Sequence, residues 1–279
     1  MFRSEIPVSY NLAATSYGSL RYCETGGKCM SDGVVIQGQA AEPGLSEVER
    51  VVDVFVAPSK TFRDILRSAK WWLPFVLMLL VTEGTSFVVD KHVGFSRVAE
   101  VQIQQSPKRA DQFNSQTPEQ KAAQLRGMEK GYRYSSYGAF ILVLVFVAIT
   151  ALLYWASFNF GLGAKTTFGQ MFAVWMYASL PRIIIGLLSM VLLMAGVNTD
   201  SYNLQNPVGT NLAYYLPDVA PWLRTILSFF DVIGLWVLVL LVIGTAIVAK
   251  VPTRKAAIVV IGWWLFGLIL ATGIAAATS

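Results

Sequence analysis

Thiols and imidazoles are nearly missing from this chain of 279 residues. Its two cysteines, Cys23 and Cys29, both fall in the first thirty positions, so the remainder has no sulfur for a disulfide, an iron–sulfur cluster or a redox pair. A single histidine, His92, leaves no imidazole-based metal spacing and no nucleophile–base set, which removes the usual starting points of an enzyme reading. No cofactor or metal is expected. Charge is scarce too: Asp, Glu, Lys and Arg make up 14% of the residues, against 54% hydrophobic. That balance belongs to polytopic membrane proteins rather than soluble domains. The net charge of +5 then suggests cations gathered at the ends of membrane spans, and nucleic acid is not an expected partner.

What is present is a series of long apolar runs. Five of them approach the ~20 residues that a helix needs to cross ~30 Å of hydrocarbon: residues 71–89, 137–158, 171–196, 226–249 and 256–277. The sequence therefore predicts an all-α integral membrane protein, a five-helix bundle occupying residues 71–277. Before it, residues 1–44 carry no sustained period and no apolar core of a signal peptide, and they read as a disordered tail. Within that tail Met30 opens an ordinary polar lead, and residues 1–29 read as dispensable and upstream of the natural start.

Residues 45–70 read as short amphipathic helices at a membrane surface. Leu45, Val48, Val52 and Phe55 recur at helical spacing until Pro58. In "PSKTFRDILRSAKWW", Ser59 is a candidate cap, Lys60, Arg63, Arg67 and Lys70 fall on one face, and Phe62, Ile65, Leu66 and Ala69 occupy another. Such a helix sets its cations among anionic lipid headgroups and its apolar face into the acyl boundary; the alternative is packing on other protein. Between the first two spans, the polar stretch 90–136 is too charged to cross a bilayer, and Thr117, Pro118 and Gln120 open a capped helix within it. Residues 197–225 form the other large connection.

The short flanks give an orientation. Lys60, Arg63, Arg67, Lys70, Lys165, Lys250, Arg254 and Lys255 all stand on one side, which places the N-terminus in the cytoplasm and the C-terminus outside it, in a multi-pass cell-membrane protein. The stretch "FGLGAKTTFG" brushes the phosphate-loop pattern, but Ala164 separates Gly163 from Lys165 and a membrane helix precedes it.

Three ionisable residues fall inside predicted spans: Glu83, Arg182 and Asp231. Charge at such depth marks a partner or a polar path. Glu83 lies 12 residues beyond Trp71 and Arg182 lies 11 beyond Met171, which sets both about 17–18 Å from the cytoplasmic end. Asp231 enters from the other side, within reach of a long arginine. The expectation is a cluster in which Arg182 is neutralised by Glu83, with Asp231 as a third corner. A structural pair and an ion or proton path both remain open.

The segments "VFVAPSKTFRDILRSAKWWLPF", "TTFGQMFAVWMYASLP" and "FFDVIGLWVLVLLVIGTAI" resemble successive landmarks of the Yip-one family, the Ypt/Rab-interacting membrane proteins, in its bacterial branch. The match rests on Pro58, Thr61, Phe62, Trp72, Tyr177, Pro181, Asp231, Trp236 and Gly244 and covers about residues 46–275. The resemblance implies five membrane helices with a cytoplasmic N-terminus. It also implies a non-enzymatic role as a membrane scaffold or organiser whose partners are lipids, another protein or a second copy of the chain. A small transporter or channel component built on Glu83, Arg182 and Asp231 is the alternative.

Overall fold

The computed structural model describes residues 11–13, 21–23, 29–30, 44–105, 107–197, 199–216 and 219–278. Two units, Met1–Gly44 and Leu45–Ser279, divide the chain. In the first, the described stretches Asn11–Ala13, Arg21–Cys23 and Cys29–Met30 pair antiparallel in chain order as β1, β2 and β3, with Cys23 opposite Cys29. The remainder of the expected tail, and most of stretch 1–29, lies outside the described residues.

The second unit is helical. Its elements are α1 (Glu47–Val56), α2 (Pro58–Ile65), α3 (Trp72–His92), α4 (Phe95–Gln104), α5 (Pro107–Asn114), α6 (Pro118–Tyr137), α7 (Ala139–Ala156), α8 (Phe168–Ala178), α9 (Ile183–Met194), α10 (Pro221–Phe229), α11 (Val232–Ala249) and α12 (Thr253–Thr278). Five apolar segments among the described residues are long enough to cross a membrane: Trp72–His92, Ala139–Gly161, Phe168–Met194, Val232–Ala249 and Thr253–Ala277. The protein is a multi-pass membrane protein.

Local chemistry sets the boundaries. Ser46 and Glu49 cap α1 reciprocally, and Thr117 with Gln120 caps α6 in the same way, as its sequence predicts. The helix α2 begins two residues earlier than a Ser59 cap requires. Pro58 occupies its first position, where the missing N–H costs nothing, and Ala57 precedes it with no side-chain cap. The third span is interrupted: Pro181 lacks an amide hydrogen, and a 3₁₀ turn over Leu180–Arg182 joins α8 to α9. The second span ends in a π-turn, Ser157–Gly161, where Asn159 bonds both ways with Thr166.

The fourth run divides differently from its sequence reading. Residues 226–229 belong to α10, a separate amphipathic helix, and the span starts only at Val232, with Asp231 as its N-cap accepting from the Ile233 amide. Asp231 therefore caps a helix instead of sitting within one. The polar stretch 90–136 holds the ordered helices α4, α5 and α6, and Ser86 of α3 donates to the Ser136 carbonyl of α6.

At the centre stands α8, with every residue from Met171 to Ala178 buried. It packs between α7 and α11, with α2 against α8 and α11, and these form one core. Close approach at one point depends on glycine: a Cβ on Gly244 of α11 would lie 2.7 Å from Val174 and 2.9 Å from the Phe62 ring. The span α3 packs along α9 through Gly84 and Gly186. One end of the bundle carries α2, residues 162–167 and the turn 250–252. The opposite end carries α4–α6 and residues 199–216 and 219–231.

Candidate functional site

Two polar sites stand out in the helical unit. The first is built by α1, α2 and α8. Helices α1 and α2 fold back on each other across Ala57, which sets Arg50 against Asp64; the Arg50 Nε donates to Asp64 Oδ2. Thr61 donates to the Arg50 carbonyl at 2.9 Å, so side chain and backbone of one residue fasten both helices together. Tyr177 of α8 donates to Glu47 Oε2 at 3.3 Å, and Glu47 lies 3.7 Å from Arg50. Arg67 binds the other Asp64 oxygen at 2.9 Å, and Lys70 approaches Glu47 at 3.9 Å. Burial opposes the charge of Arg50, but the contacts with Tyr177 and Asp64 outweigh it and hold the guanidinium pKa above its usual value. Burial likewise opposes ionisation of Asp64, and Arg67 and Arg50 together hold that carboxyl below the usual range.

Arg50 is only 1% exposed. In the sequence Arg50 falls off the apolar stripe of α1, and the structure shows where it goes. On α1, Val48, Val52 and Val56 point outward, while Arg50 and Val54 face the protein and the Phe55 ring meets Trp236 of α11 edge-on. On α2 the arrangement is reversed. Phe62 and Ile65 are buried in the bundle core, so its apolar face packs on protein and does not dip into the acyl boundary as its amphipathic pattern suggests. Lys60, Arg63, Arg67 and Lys70 all remain exposed along the outer edge of this unit.

The second site lies towards the opposite end and includes Arg182. Glu83, Arg182 and Asp231 do not form the expected triad. A Cβ on Gly186 would meet Val81 and Thr85 of α3, so Gly186 stands level with Glu83, and Arg182 lies one helical turn away, about 6 Å along the axis. Val81, Gly84 and Thr85 occupy the seam with α9, which turns Glu83 aside. No ion pair joins Glu83 to Arg182 among the described residues, and Glu83 Oε1 is buried without a hydrogen-bond partner there. Its charge reaches the opposite end instead. Burial first, then Asp90, and more weakly Glu83, push the Tyr137 phenol up.

Arg182 and Asp231 do share a site. Both line a cavity of about 1070 Å³, and the charge of Asp231 acts on Arg182 although no direct pair forms. Two broken spans thus meet here, one at the Pro181 turn and one at the Asp231 cap. Arg182 is exposed into this space. His92 is the exposed last residue of α3 and takes part in neither site.

The comparison with known families fits this architecture. The sequence matches the Yip1 domain over residues 52–274, nearly all of the helical unit. The chain belongs to the Yip1 domain family. No curated protein and no solved structure matches it. The Yip1 match begins inside α1 and takes in Thr61, Asp64 and Tyr177 of the first site and Arg182 and Asp231 of the second. Glu47 and Arg50 precede it. Among the described residues, no group of three or more His, Cys, Asp or Glu is placed to hold a metal.

Proposed function

We propose that this Yip1-domain protein is a non-enzymatic membrane organiser that gathers anionic lipids at its basic end. The observation that carries the reading is the division of labour between α1 and α2. The apolar face of α2 is anchored in the bundle while Lys60, Arg63, Arg67 and Lys70 stay exposed, and the outward stripe of α1 supplies the apolar surface beside them. Val48, Val52 and Val56 enter the acyl boundary, and the four cations hold headgroups, each contributing about 1 kcal/mol near an anionic surface. Lys165, Lys250, Arg254 and Lys255 are exposed at the same end, which supports a cytoplasmic N-terminus. A protein partner or a second copy of the chain joins at this lipid-coated edge.

The test is lipid retention by the full chain in mixed phosphatidylglycerol–phosphatidylcholine nanodiscs. Replacing the four cations by glutamine should lower phosphatidylglycerol enrichment several-fold, and unchanged enrichment would end the proposal. Reporter fusions check the orientation: those after Lys165 and Lys255 should behave as cytoplasmic, those after Ser115 and at Ser279 as external.

The cavity at Arg182 and Asp231 favours transport as a second reading, without Glu83, which does not line it. Flux of a small anion into proteoliposomes, abolished by Arg182→Gln, would place transport first.

A further inference from the structure

The cavity at Arg182 has an apolar, outward-facing wall that neither reading uses. Three of its lining side chains are donors that have no acceptor among the described residues. The Arg182 guanidinium makes no hydrogen bond or ion pair within 4 Å among the described residues, and Asp231 turns one oxygen to the Ile233 amide at the start of α11. Tyr154 and Trp175 line the same space, with rings 6.2 Å apart; neither the Tyr154 hydroxyl nor the buried Trp175 indole N–H has an acceptor among those residues. Arg109 also lies on the lining, and Asp231 is the one acidic side chain among the described lining residues. A space so furnished calls for an acceptor-rich anion, since an uncompensated guanidinium at this depth is costly.

The other wall is apolar and faces outward. Phe146 and Ile149 of α7, and Phe266 and Leu270 of α12, line the cavity and are 54–57% exposed. On membrane helices such exposure means contact with hydrocarbon. Nearer the basic end the two helices are joined by Trp263, whose indole N–H donates to Ser157 Oγ at 2.9 Å. Above that bond the cavity opens sideways to the acyl chains.

We propose that this cavity binds an anionic amphiphile, its phosphate or carboxylate head on Arg182 and its hydrocarbon chain between α7 and α12. This inference does not rest on the basic edge of α1 and α2, and its test separates the two.

The full chain in phosphatidylcholine nanodiscs is titrated with a brominated phosphatidic acid, and quenching of tryptophan fluorescence is followed, since Trp175, Trp263 and Trp264 all line the site. Saturable quenching is expected. Arg182→Gln should weaken it about tenfold or more, the scale of one charge-assisted contact, while Arg182→Lys weakens it less. The four-cation glutamine variant should leave it unchanged, whereas loss in that variant alone would assign the lipid to the basic edge and overturn the proposal. Leu270→Trp, an exposed position that tolerates bulk, should exclude the chain even if the Arg182 variants fold poorly. Inorganic phosphate separates the sources: competition only at high excess supports an amphiphile, and equal potency would reduce the ligand to a free anion and overturn the acyl part. Quenching that is linear in lipid and indifferent to Arg182 would overturn the whole.

Discussion

Two arginines divide this molecule. Arg50 is 1% exposed and held among fixed partners: Asp64 takes its Nε, Glu47 stands 3.7 Å from an Nη1 that has no hydrogen bond, and Thr61 binds its carbonyl. Arg182 lies in a broken span, its guanidinium with neither hydrogen bond nor direct counter-ion among the described residues, facing open volume. A charge surrounded by fixed partners gives the fold its register, because removing one partner strands the others. A charge held towards empty space has a different task. The comparison assigns Arg50 to structure and Arg182 to ligand.

The largest expected effect is at Arg50. Arg50→Met should cost about 3–5 kcal/mol in denaturant unfolding in detergent, since Asp64 and Glu47 lose a buried partner. Arg182→Met should cost nothing, or stabilise, by the same measurement. Equal losses would erase the distinction. Next in size is Gly244→Val, whose Cβ falls on Val174 and Phe62 and should cost about 1–3 kcal/mol by prising α2 from α11. The double change Arg50→Met with Asp64→Leu should then recover much of the first loss, leaving a non-additive cycle. By contrast, Glu83→Gln with Arg182→Met should be additive within about 0.5 kcal/mol, because the two do not meet.

The smallest effect is on pH. The carboxyl of Asp64 is held below its ordinary range, so the folded state binds its proton less readily than the unfolded chain. Its contribution is complete above the ordinary carboxylate range and declines as pH falls through the lowered value. In Asp64→Asn, that part of the acid dependence of unfolding should disappear.

The spans were legible because twenty consecutive apolar residues have few other uses, and Thr117 with Gln120 announced α6 because a capping box depends only on neighbours. Arg50 was not legible. A helical stripe such as Val48, Val52, Phe55 and Val56 shows that one face is apolar, but in a membrane protein that face can meet lipid as readily as core. Only the fold-back at Ala57 decides that α1 turns its stripe outward and α2 turns its stripe inward. Depth counting put Glu83 beside Arg182 because it measures height and not azimuth. One residue of helix is about 100° of rotation, and Gly84, not Glu83, occupies the seam. Asp231 was misplaced for another reason: residues 221–229 are apolar enough to pass for the start of a span, and the break at Phe230 carries no strong signal.

The Tyr177–Glu47 bond joins residues 130 positions apart. Helices α1 and α2 leave the ribosome first, yet their docking surfaces on α8 and α11 do not exist until three or four spans have been made. At 5–20 residues per second the wait for Tyr177 is on the order of ten seconds, and for Gly244 it is longer. During synthesis, then, Phe62 and Ile65 are without the core they pack on and Glu47 is without Tyr177, and the later spans close over a segment made well before them.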